Sequence, residues 1–226
     1  MARIPSPGQD PKREEQRLAR KARRHAERRR AIMGAARRLL AAQGTESFTV
    51  SAVAAAAEVS KPAVYYYFDS KEELVAVLAA EALEAETGAL RAAIASASDG
   101  VDALARAVGG LLDHHRADLE GYRAAYLWPQ VLGVTAHPMH STARIERDQL
   151  NADLARRLDA DSRLQSASSA HRSQALVAAA FAAAHGLLAA ACAAGATGAQ
   201  EALPLSELGD VLDTLLRCGL AAHEPR

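Results

Sequence analysis

Aromatic side chains are scarce in this chain, with one Trp, five Tyr and three Phe among 226 residues, and so are thiols, with two Cys. Cys192 and Cys218 make neither a disulfide framework nor a metal-type spacing, so free, buried thiols in a reducing cytoplasm are expected. Val and Ile are too few and too scattered to suggest a sheet. Alanine is abundant instead and loses no side-chain entropy in a helix. The chain therefore reads as all-α. The basic N-terminus is not followed by an apolar stretch, which excludes a secretory signal there. Charge is missing altogether between Ser173 and Gln200. That stretch is long enough to span a bilayer, but it is mostly Ala and Gly, with His185 near its centre. It reads as a buried helix of a soluble protein, with no membrane partner.

The formal net charge is zero, yet its distribution is uneven. Residues 1–75 hold 15 Lys+Arg against 9 Asp+Glu, and residues 76–226 hold 12 against 18. A basic head on an acidic body suits a nucleic-acid binder with a second function; the alternative is uneven surface charge without further meaning. Three parts are expected: a flexible basic arm at 1–23, a helical head at 24–72 and a larger helical body at 73–226. Its basic part, Arg17 to Arg30, could extend the first helix, and the arm is either a solvated tail or a basic segment laid along DNA phosphates or in a minor groove.

A first helix is expected from Arg24 to Gln43, because Ile32, Ala35, Ala36, Leu39 and Leu40 fall at i, i+3, i+4, i+7 and i+8. Gly44 stops it. Thr49 caps a short second helix ending near Ala57, and Ser60 caps a third whose first turn holds Pro62. Ser70 caps a fourth, running to about Ile94. Further helices are expected near 101–116, 119–133, 138–159, 168–195 and 206–222, punctuated by proline and glycine.

Two short helices behind a supporting one describe a helix-turn-helix. Within the third, Tyr65, Tyr66 and Tyr67 are consecutive, so at 100° per residue at least one phenol faces outward. Exposed phenols beside Lys61 suit a duplex, with hydroxyls for phosphates and rings for thymine methyls.

Thr49-Val50, Val53-Ala54, the run from Ala57 through Lys61-Pro62-Ala63-Val64-Tyr65-Tyr66-Tyr67-Phe68, and Ser70-Lys71-Glu72-Glu73-Leu74 resemble the DNA-binding signature of TetR-family regulators. The resemblance covers about fifty residues, Arg24 to Leu74. It implies a three-helix DNA-binding domain followed by a ligand-binding and dimerisation domain. It further implies that Thr49 and Ser51 bind phosphate, with Ser60 opening the recognition helix. Lys61, Pro62, Ala63 and Tyr66 would face the major groove, Tyr65 and Tyr67 would hold phosphates, and Lys71 would pin another. For Tyr67 a packing role stands beside the DNA role. Phe68, Val53, Val59 and Leu40 would be core. Glu58 departs from the family, which usually has Gly in this turn; a left-handed backbone there would cost about 1 kcal/mol. Pro62 also stands where Gly is frequent, and suits a first helical turn.

In the body, the helices near 172–195 and 206–222 are expected to pair with those of a second copy. Leu208, Val211, Leu212, Leu215 and Leu216 lie along one side of the last. Outside the head the aromatics gather at Tyr122, Tyr126 and Trp128, with Phe181 alone. These four, with His115 and His185, form either a wall of a small-molecule cavity or an ordinary core. His114, His115, His137 and His140 lack the spacing of a metal site, so neither metal nor cofactor is expected. The whole reads as a cytoplasmic, dimeric repressor on a palindromic operator, released by an apolar or aromatic ligand. The alternatives are a DNA-binding dimer without effector, and a helical enzyme or metal-binding protein, for which no nucleophile–base pair or phosphate loop speaks.

Overall fold

The computed structural model describes residues 11–161, 172–197 and 205–221, and every regular element among them is helical. They are α1 (Pro11–Gln43), α2 (Val50–Ala56), α3 (Lys61–Tyr65), α4 (Lys71–Ile94), α5 (Gly100–Ala117), α6 (Leu119–Tyr122), a π-helical turn (Arg123–Leu127), α7 (Trp128–Val131), α8 (Pro138–Asp159), α9 (Arg172–Thr197) and α10 (Leu205–Ala221). The chain divides into two compact units between Leu74 and Val75.

In the first unit, the expected apolar face of α1 is buried: Ile32, Ala35, Ala36, Leu39 and Leu40 join Phe48, Val53, Ala54, Val64 and Phe68. Val59, assigned to this core from the sequence, is only half-buried. α1 ends where Gly44 adopts φ +70° and its N–H meets the Leu40 carbonyl at 2.9 Å, a left-handed stop suited to glycine. The caps fall as expected. Thr49 Oγ1 accepts from Ala52 N at 3.1 Å, and Ser60 Oγ accepts from Ala63 N at 3.2 Å. Ser70 Oγ accepts from Glu73 N at 3.0 Å, while the Glu73 carboxylate accepts from Asp69 N. The part of the N-terminal arm within the described residues, 11–23, corrects the flexible reading. It is helical and continuous with α1, because Lys, Arg, Glu and Ala favour helix even with nothing to pack on.

In the second unit, α5 packs against α8, α9 and α10, and α8 packs against α9. Their shared core includes Leu90, Leu104, Leu111, Leu154, Leu158, Phe181 and Leu188. Gly100 opens α5 where its backbone meets the last turn of α8; a Cβ there would collide with the Arg157 carbonyl. The helix expected at 119–133 is broken into three pieces. Pro129 has no N–H to give to the preceding turn, and the wide π turn just before it absorbs the mismatch.

α9 is apolar enough by length and composition to cross a membrane, yet in this fold it is two-faced. Ser173, Val177, Ala180, Phe181, Ala184, Leu188 and Cys192 face the core, and Ala175, Ala179, Ala183, Gly186 and Ala190 are exposed. Within the single chain this helix, expected to be buried, is thus covered on one face only. Residues 168–171, the start of the helix expected at 168–195, lie outside the described residues.

Candidate nucleic-acid interface and body cavity

The turn after α2 decides how α3 is presented. Glu58 takes φ +55°, the left-handed conformation foreseen for this position, and Ser60 then starts α3 with an extended backbone. Tyr66 is 71% exposed and Tyr65 46% exposed. Val64 and Phe68 turn inward. Tyr67 is half-buried, its ring 4.6 Å from that of His25 on α1. His25 also meets Tyr66 edge-on at 5.8 Å, and the Arg29 guanidinium lies 5.2 Å from the Phe68 ring. One surface hollow gathers Thr49, Ser51, Lys61, Tyr65, Ser70 and Lys71, with Asp69 and Glu72 also on its wall, and the Lys61 ammonium lies 6.0 Å from the Tyr65 ring. Hydroxyls and ammonium groups converging on one exposed hollow offer several donors to anionic oxygens. Pro62 and Ala63 lie outside that hollow, on the exposed or half-exposed part of α3.

The second unit contains a cavity of about 380 Å³ lined by α4, the π turn, α7, α8 and α9. Its apolar wall includes Leu83, Pro129, Ala178, Phe181 and Ala182, and its polar wall Tyr126, His140, Arg147, Asn151 and His185. Behind it Glu86 of α4 is fully buried. The carboxylate of Glu86 accepts from His115 Nε2 at 2.9 Å, from the Tyr126 hydroxyl at 2.7 Å and from Arg147 Nε at 2.7 Å. Burial by itself would raise the Glu86 pKa; the His115 bond, the Arg147 charge and bond, and the Tyr126 bond outweigh it and hold it at about 2. Burial, reinforced by the Glu86 charge, pushes the Tyr126 phenol well above its usual range. Burial also pushes His185 down to about 4, so its imidazole is neutral at pH 7. Arg147 completes the arrangement by stacking 4.2 Å from the Phe181 ring.

Residues 32–78 match the family described as bacterial regulatory proteins, tetR family. Residues 32–78 thus form a head of the tetR-family DNA-binding type. Similar solved structures include a TetR-like transcriptional regulator from Rhodococcus sp. RHA1, at 22% identity and TM-score 0.63, covering 86% of this chain and 96% of that one. Another is the fatty acid degradation regulator FadR from Bacillus halodurans, at 18% and 0.66, covering 83% and 93%. A third is the TetR-family regulator SCO4454 from Streptomyces coelicolor, at 18% and 0.64, covering 88% and 97%. At such identities these likenesses concern the fold. No curated protein matches. A head of that family is a DNA-binding helix-turn-helix, which supports the coarse function of DNA-binding regulation of transcription.

The body cavity corrects part of the expected ligand wall. Tyr126, Phe181 and His185 line the cavity, whereas His115, Tyr122 and Trp128 do not. His115 is spent on Glu86, and Tyr122 is buried with its hydroxyl donating to the His185 carbonyl at 3.1 Å. Trp128 stands two residues beyond Tyr126, and side chains two apart on a helix point to nearly opposite sides. Arg144, Arg147 and Asp148 also line the cavity, so its polar wall is charged.

Sequence reasoning missed Glu86, Arg147 and His25. The signal for the first two was present. Glu86 interrupts the apolar row Leu83, Leu90, Ile94, and Arg147 interrupts Ala143, Leu150, Leu154, both at helical spacing. A charge inside an apolar stripe is a buried charge needing a partner. Among the described residues no group of His, Cys, Asp and Glu has metal-holding geometry. His137 caps α8, its Nδ1 accepting from Met139 N at 3.4 Å, and His140 Nδ1 lies 3.1 Å from the Thr135 carbonyl.

Proposed function

We propose that this protein, with its tetR-type head, is a cytoplasmic, dimeric repressor that reads a palindromic operator with α3 and releases it when a small molecule fills the α4–α9 cavity. The observation carrying the DNA reading is the exposed hollow of Thr49, Ser51, Lys61, Tyr65 and Lys71 beside the outward Tyr66. In that reading Thr49, Ser51, Tyr65 and Lys71 hold phosphates, while Lys61, Pro62, Ala63 and Tyr66 meet base edges, with Ser60 shaping the helix start. Tyr67, stacked on His25, supports the position of Tyr66.

The exposed small-residue face of α9 and the exposed Val211 and Leu215 of α10 support a two-fold partner. Two recognition helices related by that axis suit a palindrome. The ligand reading rests on the cavity and on Glu86. An apolar or aromatic body would sit against Phe181, Leu83 and the alanines, with a hydrogen-bonding group toward His185 or Arg147. A ligand taking up Tyr126 or Arg147 would loosen their hold on Glu86 and thus on α4, one uninterrupted helix from Lys71 to Ile94. Release follows only if the ligand prefers the conformation that binds DNA poorly.

Selection of bound sequences from a random duplex pool tests the DNA reading. The wild type should enrich a palindromic motif. Lys71→Ala should weaken every sequence about equally, whereas Tyr66→Ala should blur the motif; equal losses on all sequences for Tyr66→Ala would remove it from base contact. For the effector, a ligand found by thermal shift should stop acting on Ala182→Phe, which fills the cavity, while DNA binding persists. A ligand that still releases DNA from that variant binds elsewhere.

A further inference from the structure

Beyond the helix-turn-helix, α1 runs on toward the N-terminus for about six turns without a core to serve. From Lys12 to Ala31 every side chain is exposed except Glu14 and Arg29, which are half-buried. The stretch 11–31 holds ten Lys and Arg against three Glu. Its single large apolar side chain is Leu18, which is too little to dock a protein partner. The cations are not spread evenly. Arg13, Arg17, Arg20, Arg24 and Arg28 are spaced by four, three, four and four, which keeps them on one side of a helix. Arg13, Arg17, Arg20, Lys21 and Arg24 line one shared groove on the helix surface. Glu14 pairs with Arg17 and Glu27 with Arg23, both at 2.7 Å, so two of the three acids are already turned to neighbours on the helix.

The base of this extension is tied to the recognition segment. The His25 ring packs on those of Tyr66 and Tyr67, and the Arg29 guanidinium lies over Phe68. A stripe of arginines therefore leaves the head next to α3, within one compact unit.

We propose that the helical extension of α1, through Arg13, Arg17, Arg20, Lys21, Arg24 and Arg28, is a second DNA-contacting surface that grips the phosphate backbone independently of sequence. At 1.5 Å per residue the 21 residues reach about 31 Å, close to nine base pairs at a rise of about 3.4 Å. A helix about 10 Å across does not enter a minor groove about 6 Å wide. The contact is therefore with phosphates, and the groove-threading role considered for an unstructured arm is set aside. The role of this surface is affinity and rapid encounter, while α3 supplies discrimination.

The test compares the full-length wild type with a variant carrying Arg13→Gln, Arg20→Gln, Arg24→Gln and Arg28→Gln. Glutamine keeps helix propensity close to that of arginine, and circular dichroism should confirm equal helicity. Fluorescence anisotropy on a 40-base-pair duplex of arbitrary sequence is followed from about 50 to 200 mM salt. Each lost phosphate contact should lower the slope of log affinity against log salt by about 0.9. Four per chain then make the wild type lose on the order of 100-fold more affinity across that range than the variant, and a dimer doubles the slope change. An unchanged slope overturns the proposal. So does an unchanged slope combined with loss of binding to phosphatidylserine vesicles, which would make the partner a membrane surface. Lys71→Ala, measured in parallel, separates the two readings. If it lowers the slope and the arginine variant does not, the head reading stands and the extension fails; the converse result leaves the extension and sinks the head reading.

Discussion

Glu58 is the one non-glycine residue with positive φ among those described. It stands in the turn that presents α3, where a Cβ is disfavoured by about 1 kcal/mol or more. Glu58→Gly should raise stability by about 0.5–1 kcal/mol after the greater chain entropy of glycine is subtracted, read as the urea midpoint. A lower midpoint would mean that the carboxylate makes a stabilising contact. His185 carries a second residue-scale consequence. Burial depresses its folded pKa to about 4, against about 6.5 in an unfolded chain. The unfolded state thus binds the proton more tightly, so stability is fully present above pH 6.5 and falls as pH drops toward 4. Between pH 7 and 5 the wild type should lose about 1–2 kcal/mol more than His185→Gln. Parallel losses in the two proteins would show that His185 titrates normally.

Among the elements, α4 is held from three sides at one atom group. The Glu86 carboxylate meets donors from α5, the π turn and α8, while Asp102 of α5 pairs with Arg217 of α10 at 3.0 Å. The two clusters differ in consequence. The Asp102 pairs involve half-exposed arginines and contribute modestly. Arg147 and Glu86 are both buried, so removing either leaves the other uncompensated. Glu86→Ala should lower stability by about 3–5 kcal/mol in chemical denaturation, and adding Arg147→Leu should restore a substantial part, because the stranded charge is gone. A single-variant loss below about 1 kcal/mol would mean that the carboxylate does not hold α4 in place.

For the whole molecule, the proposed two-fold assembly rests on the outer surface of α9 and α10. Leu212 and Leu216 of α10 pack against the core of their own unit, whereas Val211 and Leu215 are 56% and 63% exposed. All had been grouped as one apolar side. Val211→Glu with Leu215→Glu should therefore yield a folded monomer, because only the partner face meets the new charges. Leu212→Asp should unfold the chain by burying a charge. Light scattering with circular dichroism distinguishes the outcomes, and a wild type that is monomeric at micromolar concentration ends the two-fold reading.

The order of the helices and the limits of the short ones in the head were legible in residue chemistry alone, whereas the start of α1 and the breaks within 119–133 were not. The caps at Thr49, Ser60 and Ser70, the left-handed Gly44 and Glu58, and the apolar face from Ile32 to Leu40 depend on neighbours within a few residues, and such local preferences survive into any fold. The candidate DNA surface was legible for the same reason, since α2 and α3 are short and their exposure follows from helical phase. Tertiary structure decided what long-range packing alone can decide. Glu86 and Arg147 are 61 residues apart, and although each interrupts an apolar row, only the packed helices make each the other's partner in a core that cannot hold either charge unpaired. The cavity likewise arises from the way five elements meet, which is why Tyr126, Phe181 and His185 line it while Trp128, so close to Tyr126 in sequence, does not.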